Sequence, residues 1–531
     1  MRTRSSSSVP PSRRDPDAPC LITTDGSLTF AQVDEQSDAL ASCFVDAGVL
    51  PGDRVALYLQ NDPQFVTALV GIWKAAAIAV PINPMLLDAE LRYILDNAEP
   101  TVLVARADLV ATAMAAARSS SIELVLTTSG TLVAPAPTTR LDATDGDPRM
   151  LDLDAVSAAR SAPVTTRPSI GTGDPAFLVY TSGTTGRPKG TVNHRERGAQ
   201  RRGVLPVDRH GPGRRDPGGA PLFHITGLVA GIALSHRARC PLVLLHRFEA
   251  GACLDSISRW RCSMTVMSLT AYIALMAHEQ FDSTDLTSMT KAYSGGAPVS
   301  PAVADRWERS AGVTIRNVYG LTETTSPTHM TPWRQEGRVH PELGAYAVGV
   351  PVPGADVRAV DLESGQNVPV GERGELVVRG PMVVPAYWRR SDPVGDEEGW
   401  FHTGDVGLMD DDGWFYVVDR QKDMINASGF KVWPREVEDV LRSHSDVRDA
   451  AVIGVADDYR GETVKAFVTL RAPEAVETTE LLEFCRQRLA AYKRPRSIEV
   501  VVELPTSAAG EVLRGELCDR EHTSREQAAR S

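Results

Sequence analysis

The chain has 531 residues, 42% hydrophobic and 23% charged. It is too long for one ordinary core and balanced like a folded polypeptide, which excludes collagen-like, fibrous and wholly disordered readings and predicts two or three domains. A net charge of -12 excludes a surface built to hold nucleic acid phosphates and leaves room only for a local basic pocket.

The longest apolar run, 68–86, is broken by Lys74, Pro81 and Pro84, so no transmembrane segment is expected. The Ser- and Arg-rich start lacks the apolar stretch of a secretory signal, and a cytoplasmic location is expected. Seven cysteines with no CxxC pair read as reduced, mostly buried thiols rather than a disulfide framework or zinc site.

Thr29 with Gln32 three residues on forms a capping box, Val33, Leu40 and Phe44 share one helical face, and Gly48 supplies the stop. A strand over 55–59, a helix over 64–77, a strand over 77–82, a helix over 91–97 and a strand over 101–105 follow. That alternation predicts a largely parallel α/β sheet. From 127 to 173 Thr, Pro, Ala and Asp dominate without period, and a long surface loop is expected. Short strands about the turns Glu363-Ser364-Gly365 and Gly371-Glu372-Arg373-Gly374 predict an antiparallel or barrel-like part. Beyond Asp419 a helix (435–441), two strands (450–455 and 464–470), a helix (478–490) and a strand (498–504) predict a compact α+β tail.

The strongest local signal is the apolar strand 177–180 running into Thr181, Ser182, Gly183, Thr184, Thr185, Gly186 and then Lys189 and Gly190. Glycines let a backbone approach a polyphosphate, N–H groups and hydroxyls donate to its oxygens, and Lys189 adds charge, as ATP phosphates require. The spacing Gly183-x-x-Gly186-x-x-Lys189 is not a Walker A loop.

This string resembles the phosphate loop of the adenylate-forming enzymes, the superfamily of acyl-CoA synthetases, luciferases and peptide-synthetase adenylation domains. Strings 221–224, 293–298, 319–323, 400–405 and 419–434 resemble that family in the same order over nearly the whole chain, and the last is most similar to fatty-acyl-CoA ligases. The resemblance implies an α/β fold: a large N-terminal domain (1–420) with two α/β sheets and a small β-barrel portion, then a smaller mobile α+β C-terminal domain (421–531) with its hinge near Lys422. It implies ATP, Mg²⁺ and coenzyme A as cofactor and co-substrates, and a small carboxylate as partner.

By the same resemblance Gly295, Gly296 and Ala297 pass close to the adenine, Tyr319 with Gly320 forms the base-stacking slot, and Thr322 bonds the α-phosphate. Glu323 holds Mg²⁺, Asp405 accepts from the ribose hydroxyls with Arg420 in support, and His224 lies near the acyl carboxylate. Gly429, Phe430 and Lys431 face the pantetheine of coenzyme A. Of only seven lysines, Lys189, Lys422, Lys431 and Lys493 lie in or beside these strings. Singly, His224 reads as a core histidine and Asp405 beside Gly404 as a turn residue; their order in the chain favours the functional reading.

Two stretches depart from the family pattern. In the string 505–517 the family carries an essential lysine after the glycine, and here Glu511 follows Gly510. A carboxylate there repels both ATP and the acid where the lysine would gather negative charge, and Arg514 is the second-choice cation. The Arg-, Gly- and Pro-dense window 194–219 lacks the helix and short strand expected there, and Pro206, Pro212 and Pro217 would break either. It reads as a solvated basic loop or as a stretch scrambled by two compensating frame changes. The expected activity is an acyl-CoA synthetase for a medium- or long-chain fatty acid; an aryl-CoA ligase and a catalytically degenerate nucleotide- or acyl-binding relative stay open. A serine hydrolase lacks its G-x-S-x-G elbow and a zinc hydrolase its HExxH pair.

Overall fold

Alternate residues of the same strands go into different cores. Val55 and Leu57 join one cluster with Val102, Val104, Leu124, Leu126, Phe177 and Val179, while Ala56 and Tyr58 join another with Leu103, Ala105, Val125 and Leu178. A sheet buried on both faces needs such continuous apolar runs, and it is the reason these strands read as runs rather than as alternations.

In the computed structural model, residues 15–117, 120–132, 149–159, 171, 173–181, 188–194, 216–420, 423–427, 430–457, 461–472, 476–506 and 512–530 are described. The chain forms two compact units. One comprises Met1–Val266, Ala274–Ala292 and Val384–Pro393; the other comprises Met267–Ile273, Tyr293–Val383 and Val394–Ser531.

The first unit is built on a seven-stranded sheet in the order Arg149–Asp152, Leu124–Thr128, Val102–Arg106, Arg54–Tyr58, Ile78–Pro81, Pro175–Thr181, Lys189–His194. All pairs are parallel except the last, where Lys189–His194 turns back antiparallel on Pro175–Thr181. The helix Phe30–Asp46 starts at the predicted capping box: Gln32 N donates to Thr29 Oγ1 at 3.1 Å and Thr29 N to Gln32 Oε1 at 2.8 Å. A helix over Pro63–Lys74 begins with proline at its first turn, and another covers Asp88–Ala98.

Two expectations are corrected here. The stretch 127–173 is not one loop. Arg149–Asp152 is the edge strand of the seven-stranded sheet, and Asp152 caps a helix over Leu153–Ala158 by accepting from Ala155 N at 2.9 Å. Four residues and six are too short to show a period. Within the window 194–219, Asp216–Gly218 is a strand parallel to Leu242–Leu244. It lies at the edge of a sheet in the order Asp216–Gly218, Leu242–Leu244, Pro19–Ile22, Ser27–Thr29, and an edge is where a strand tolerates Pro217. Residues 195–215, with Pro206 and Pro212, lie outside the described residues.

A five-stranded sheet runs in the order Met264–Met267, Lys291–Ser294, Ile315–Tyr319, His329–Met330, Val350–Pro351. In the second unit the predicted barrel is instead an open antiparallel meander, Asp356–Val360, Gly374–Arg379, Phe401–Met409, Phe415–Arg420. The tail forms the expected α+β layer: strands Phe430–Val432, Ile425–Ala427, Gly461–Leu470 and Val447–Asp457, with Ser497–Val500 added parallel to Gly461–Leu470. Helices Pro434–Arg442 and Thr478–Arg488 pack on it through Val437, Leu441, Leu481 and Cys485. The last strand stops at Val500, short of Leu504, and Val502 is 95% exposed.

Candidate active site

The site residues predicted from sequence fall in both units, and each group is built by its own means. In the first unit, Thr181 ends a strand and Lys189 begins the next, and the two are partners in the antiparallel register. The glycine-rich loop is therefore closed at its base, with Thr181 Oγ1 donating to Lys189 O at 3.4 Å. Ser182, Gly183, Thr184, Thr185 and Gly186 lie outside the described residues. Tyr93 anchors the exit of the loop by donating to Pro188 O at 2.9 Å, and the Lys189 ammonium stands 5.1 Å from the centre of the Tyr387 ring.

His224 sits at the foot of a helix whose first turns, Gly227–Ala233, are π-helical, an arrangement rare enough to mark a site of constraint. Its Nδ1 accepts from Thr226 N at 3.3 Å, which leaves the ring proton on Nε2. Burial holds its pKa below the ordinary histidine value, so the imidazole is neutral at physiological pH. Gly227 is required: a Cβ there would be driven into the Pro221 carbonyl oxygen.

The segment before His224 is fixed by a residue the sequence reading did not single out. Asn61, buried three residues past the strand Arg54–Tyr58, accepts from Leu222 N at 2.7 Å and donates to Ala220 O at 3.4 Å. One amide thereby satisfies a backbone group of Pro221-Leu-Phe-His224 and one of the residue just before it. Its only sequence signal is a polar pair, Gln60 and Asn61, shortly after an apolar strand.

In the second unit Gly295 passes so close to the neighbouring strand that a Cβ would lie 2.8 Å from Val318 O, and Gly296 adopts φ +82°. Ala297 follows, partly exposed. Tyr319 ends the strand Ile315–Tyr319 and donates its hydroxyl to Asp405 Oδ2 at 2.6 Å. Asp405 is 5% exposed, and its own N–H donates to Thr403 Oγ1 at 3.1 Å. Gly320 lies against the returning chain, where a Cβ would meet Pro327 Cα at 2.7 Å. Thr322 and Glu323 form a single 3₁₀ turn with Thr324. Thr325 and Ser326 then take φ +50° and +71°, left-handed backbone that non-glycine residues adopt only where the surroundings impose it. Thr325 is held there by donating to Met382 O at 3.1 Å.

Arg420 is the register partner of Asp405 across two strands; its side chain, Lys422, Gly429 and Glu511 lie outside the described residues. Phe430 and Lys431 occupy the strand Phe430–Val432. Thr506 and Val512 pair as an antiparallel bridge, and Leu513 N donates to Pro505 O at 2.8 Å, so the chain on either side of Glu511 is anchored. Arg514, the second-choice cation, is tied back: its guanidinium meets Glu438 at 2.7 Å and Asp423 at 3.1 Å. Glu438 is nearly fully buried and also accepts from Val452 N at 2.9 Å. Glu438 also pairs with Arg442 at 3.5 Å, so Arg514 is one member of a buried charge cluster in the core of the tail. Lys493 pairs with Glu436 at 2.5 Å.

The chain is similar to known proteins over nearly its whole length. The AMP-binding enzyme family matches residues 11–388, and the AMP-binding enzyme C-terminal domain matches residues 436–511. The chain is 33% identical to a long-chain-fatty-acid–CoA ligase of Bacillus subtilis, over 96% of this chain and 92% of the relative. It is 34% identical to a feruloyl-CoA synthase of Amycolatopsis, over 95% and 96%. ATP-bound MatB from Rhodopseudomonas palustris superposes with a TM-score of 0.84 at 26% identity, over 95% of this chain and 96% of MatB. An anthranilate CoA ligase in complex with anthranoyl-AMP does so with a TM-score of 0.84 at 27% identity, over 98% and 96%.

Proposed function

We propose, from the premise that the chain belongs to the AMP-binding enzyme family, that it is an ATP-dependent acid–CoA ligase whose acid is a medium- or long-chain fatty acid. The observation that carries this reading is the bond from Tyr319 to Asp405, which joins two distant motifs into one slot for a nucleoside. In the reaction the carboxylate attacks the α-phosphorus of ATP, pyrophosphate leaves, and the acyl-adenylate is then attacked by the coenzyme A thiolate with release of AMP.

In this reading the loop 181–189 cradles the outer phosphates, Thr322 bonds the α-phosphate, and the Gly295–Ala297 backbone with Tyr319 encloses the adenine. Asp405, with Arg420, takes the ribose hydroxyls, a task suited to a carboxylate that already accepts one hydroxyl. His224, neutral with its proton on Nε2, can donate to the acid's carboxylate. Among the described residues no group of three or more His, Cys, Asp or Glu side chains could hold a metal ion. Mg²⁺ takes few protein ligands and several phosphate oxygens, and the carboxylate Glu323 fits that demand. We place the hinge of the tail near Lys422, with Gly429, Phe430 and Lys431 toward the pantetheine, and the enzyme in the cytoplasm. No helix among the described residues is long and apolar enough to cross a membrane.

The fatty acid is favoured by the motif 423–434 and by the long-chain ligase relatives, while the feruloyl-CoA synthase keeps aryl acids as the second reading. Glu511 supports a further alternative, a nucleotide-binding relative that adenylates poorly. Acid-dependent ATP–pyrophosphate exchange over fatty and aryl acids, run with the protein and with Glu511→Lys, separates these. The lysine variant is expected to exchange at least ~100-fold faster, the contribution of one preorganised donor in the transition state. Equal rates would remove the argument about Glu511; silence from both proteins would reject the ligase.

A further inference from the structure

The strap Val384–Pro393 belongs to the first unit although the chain on both sides of it belongs to the second. It is fastened to the exit of the glycine-rich loop. Trp388 N donates to Gly190 O at 2.7 Å, and Thr191 and Tyr387 pair as an antiparallel bridge. Trp388 Nε1 donates to Asn97 O at 3.0 Å, the Arg54 guanidinium lies 5.5 Å from the Trp388 ring, and Arg389 pairs with Glu99. Asn97 in turn accepts the Tyr180 hydroxyl at 2.6 Å. The strap and the strand leaving the loop therefore share one set of fastenings. The approach depends on Gly190, where a Cβ would stand 2.8 Å from Leu178 Cδ1 and 3.3 Å from Trp388 Cβ.

This fastening sets the ring of Tyr387 against the Lys189 ammonium, 5.1 Å from its centroid. We propose that Tyr387 is a positioning residue for Lys189: the ring holds the ammonium at the base of the loop, ready for the outer phosphates of ATP. The inference rests on the reading of Thr181–Lys189 as a phosphate loop. A lysine stem is flexible and its head is a compact point charge, so an unsupported Lys189 would spend much of its time elsewhere. A carboxylate would restrain it but would compete with the ligand and repel it. An aromatic face restrains the cation through its quadrupole without adding negative charge. It keeps Lys189 within reach of a phosphate, and the ammonium can keep the ring on one side while its N–H groups donate to phosphate oxygens on the other. Only the outer phosphates should feel the effect, so it should discriminate ATP from AMP.

The test is calorimetric titration of the full chain with MgATP and with AMP. Tyr387→Leu is expected to weaken MgATP binding about 3-fold, the size of a partly exposed cation–π contact, and to leave AMP binding unchanged; Tyr387→Phe, which keeps the face, is expected to match the parent. In a Lys189→Met background Tyr387→Leu should add nothing. Equal weakening of both nucleotides would mean that Tyr387 serves only packing, and would overturn the inference. If Lys189→Met weakens MgATP but Tyr387→Leu does not, the inference fails while the phosphate-loop reading stands. If Lys189→Met leaves MgATP binding untouched, both fail. Should Tyr387→Leu not fold, phenylalanines of increasing fluorination at 387 keep the shape while draining the face. MgATP affinity that falls along that series supports the proposal, and a flat series overturns it.

Discussion

Around Lys189 and His224 the motif residues are positioned by partners outside the motifs: Asn61 grips the backbone at Ala220 and Leu222, and Tyr387 and Trp388 grip the chain at Lys189 and Gly190. Around Tyr319 a motif residue holds another motif residue, and the motif glycines pack on chain a few residues from the motifs. Tyr319 bonds Asp405, Gly320 packs on Pro327, and Gly295 packs on Val318. A region fastened from outside is sensitive to substitutions that touch no motif, whereas a region fastened from within is sensitive at the motif glycines themselves. The two regions also differ in polarity. The first presents a cation beside an aromatic face, and the second a carboxylate that accepts from a tyrosine hydroxyl.

The largest expected effects are steric and come from glycines in both regions. Gly227→Ala drives a Cβ into the Pro221 carbonyl, and Gly320→Ala places one 2.7 Å from Pro327 Cα. Backbone atoms cannot swing aside as side chains do, so each should cost about 3 kcal/mol, the upper end for overpacking. Gly365→Ala is the control, for nothing lies within 4 Å of its Cβ and its φ of +68° is the only penalty; about 1 kcal/mol is expected there. Urea unfolding of the three variants checks the order. If Gly227→Ala proved as mild as Gly365→Ala, the close approach under His224 would be wrong.

Asn61→Leu should cost less, about 2 kcal/mol, because it strands Leu222 N and Ala220 O in a buried place without adding bulk against the backbone. Function should suffer more than stability, since these groups set the position of His224. The apparent affinity for the acid is expected to fall while ATP affinity holds. Equal loss for both ligands would show that Asn61 supports the whole unit rather than the His224 segment.

How much of this was legible beforehand follows from sequence separation. The capping box at Thr29 and Gln32 spans three residues and formed as predicted, and the strands 54–58, 78–81 and 102–106 lie where their apolar runs placed them. The edge strand Arg149–Asp152 was hidden because four residues carry no period, and Pro217 misled because the rule against proline applies to central strands. Motif order brought out Tyr319 and Asp405 without revealing the bond between them. Asn61 and Tyr387 were missed for the opposite reason: each acts on a segment more than 150 residues away, and no local pattern announces such a partner.

The smallest effect sharpens the comparison from the self-supporting side. His329 is fully buried behind Tyr319, with ring centroids 5.5 Å apart, and against Phe415 at 4.7 Å. Its Nδ1 lies 2.9 Å from Thr328 Oγ1, and among the described residues its Nε2 has no partner. Burial lowers its pKa to about 3, so the folded chain keeps it neutral where an unfolded one would protonate it. Between the unfolded value near 6.5 and that folded value the unfolded chain binds the extra proton. The stabilisation is therefore complete above pH 6.5 and is lost as pH falls. At pH 5.5 the loss amounts to about 1.4 kcal/mol. His224 and His236 are lowered by burial as well and add to the acid sensitivity of the whole chain, so the reading has to be a difference. His329→Phe keeps a ring between Tyr319 and Phe415 and removes the titration. Its stability relative to the parent should improve by about 1.4 kcal/mol between pH 7.5 and pH 5.5 in urea unfolding, whatever the offset from losing the Thr328 contact. A difference independent of pH would mean that His329 is not held neutral, and that the packing behind Tyr319 is looser than the ring distances describe.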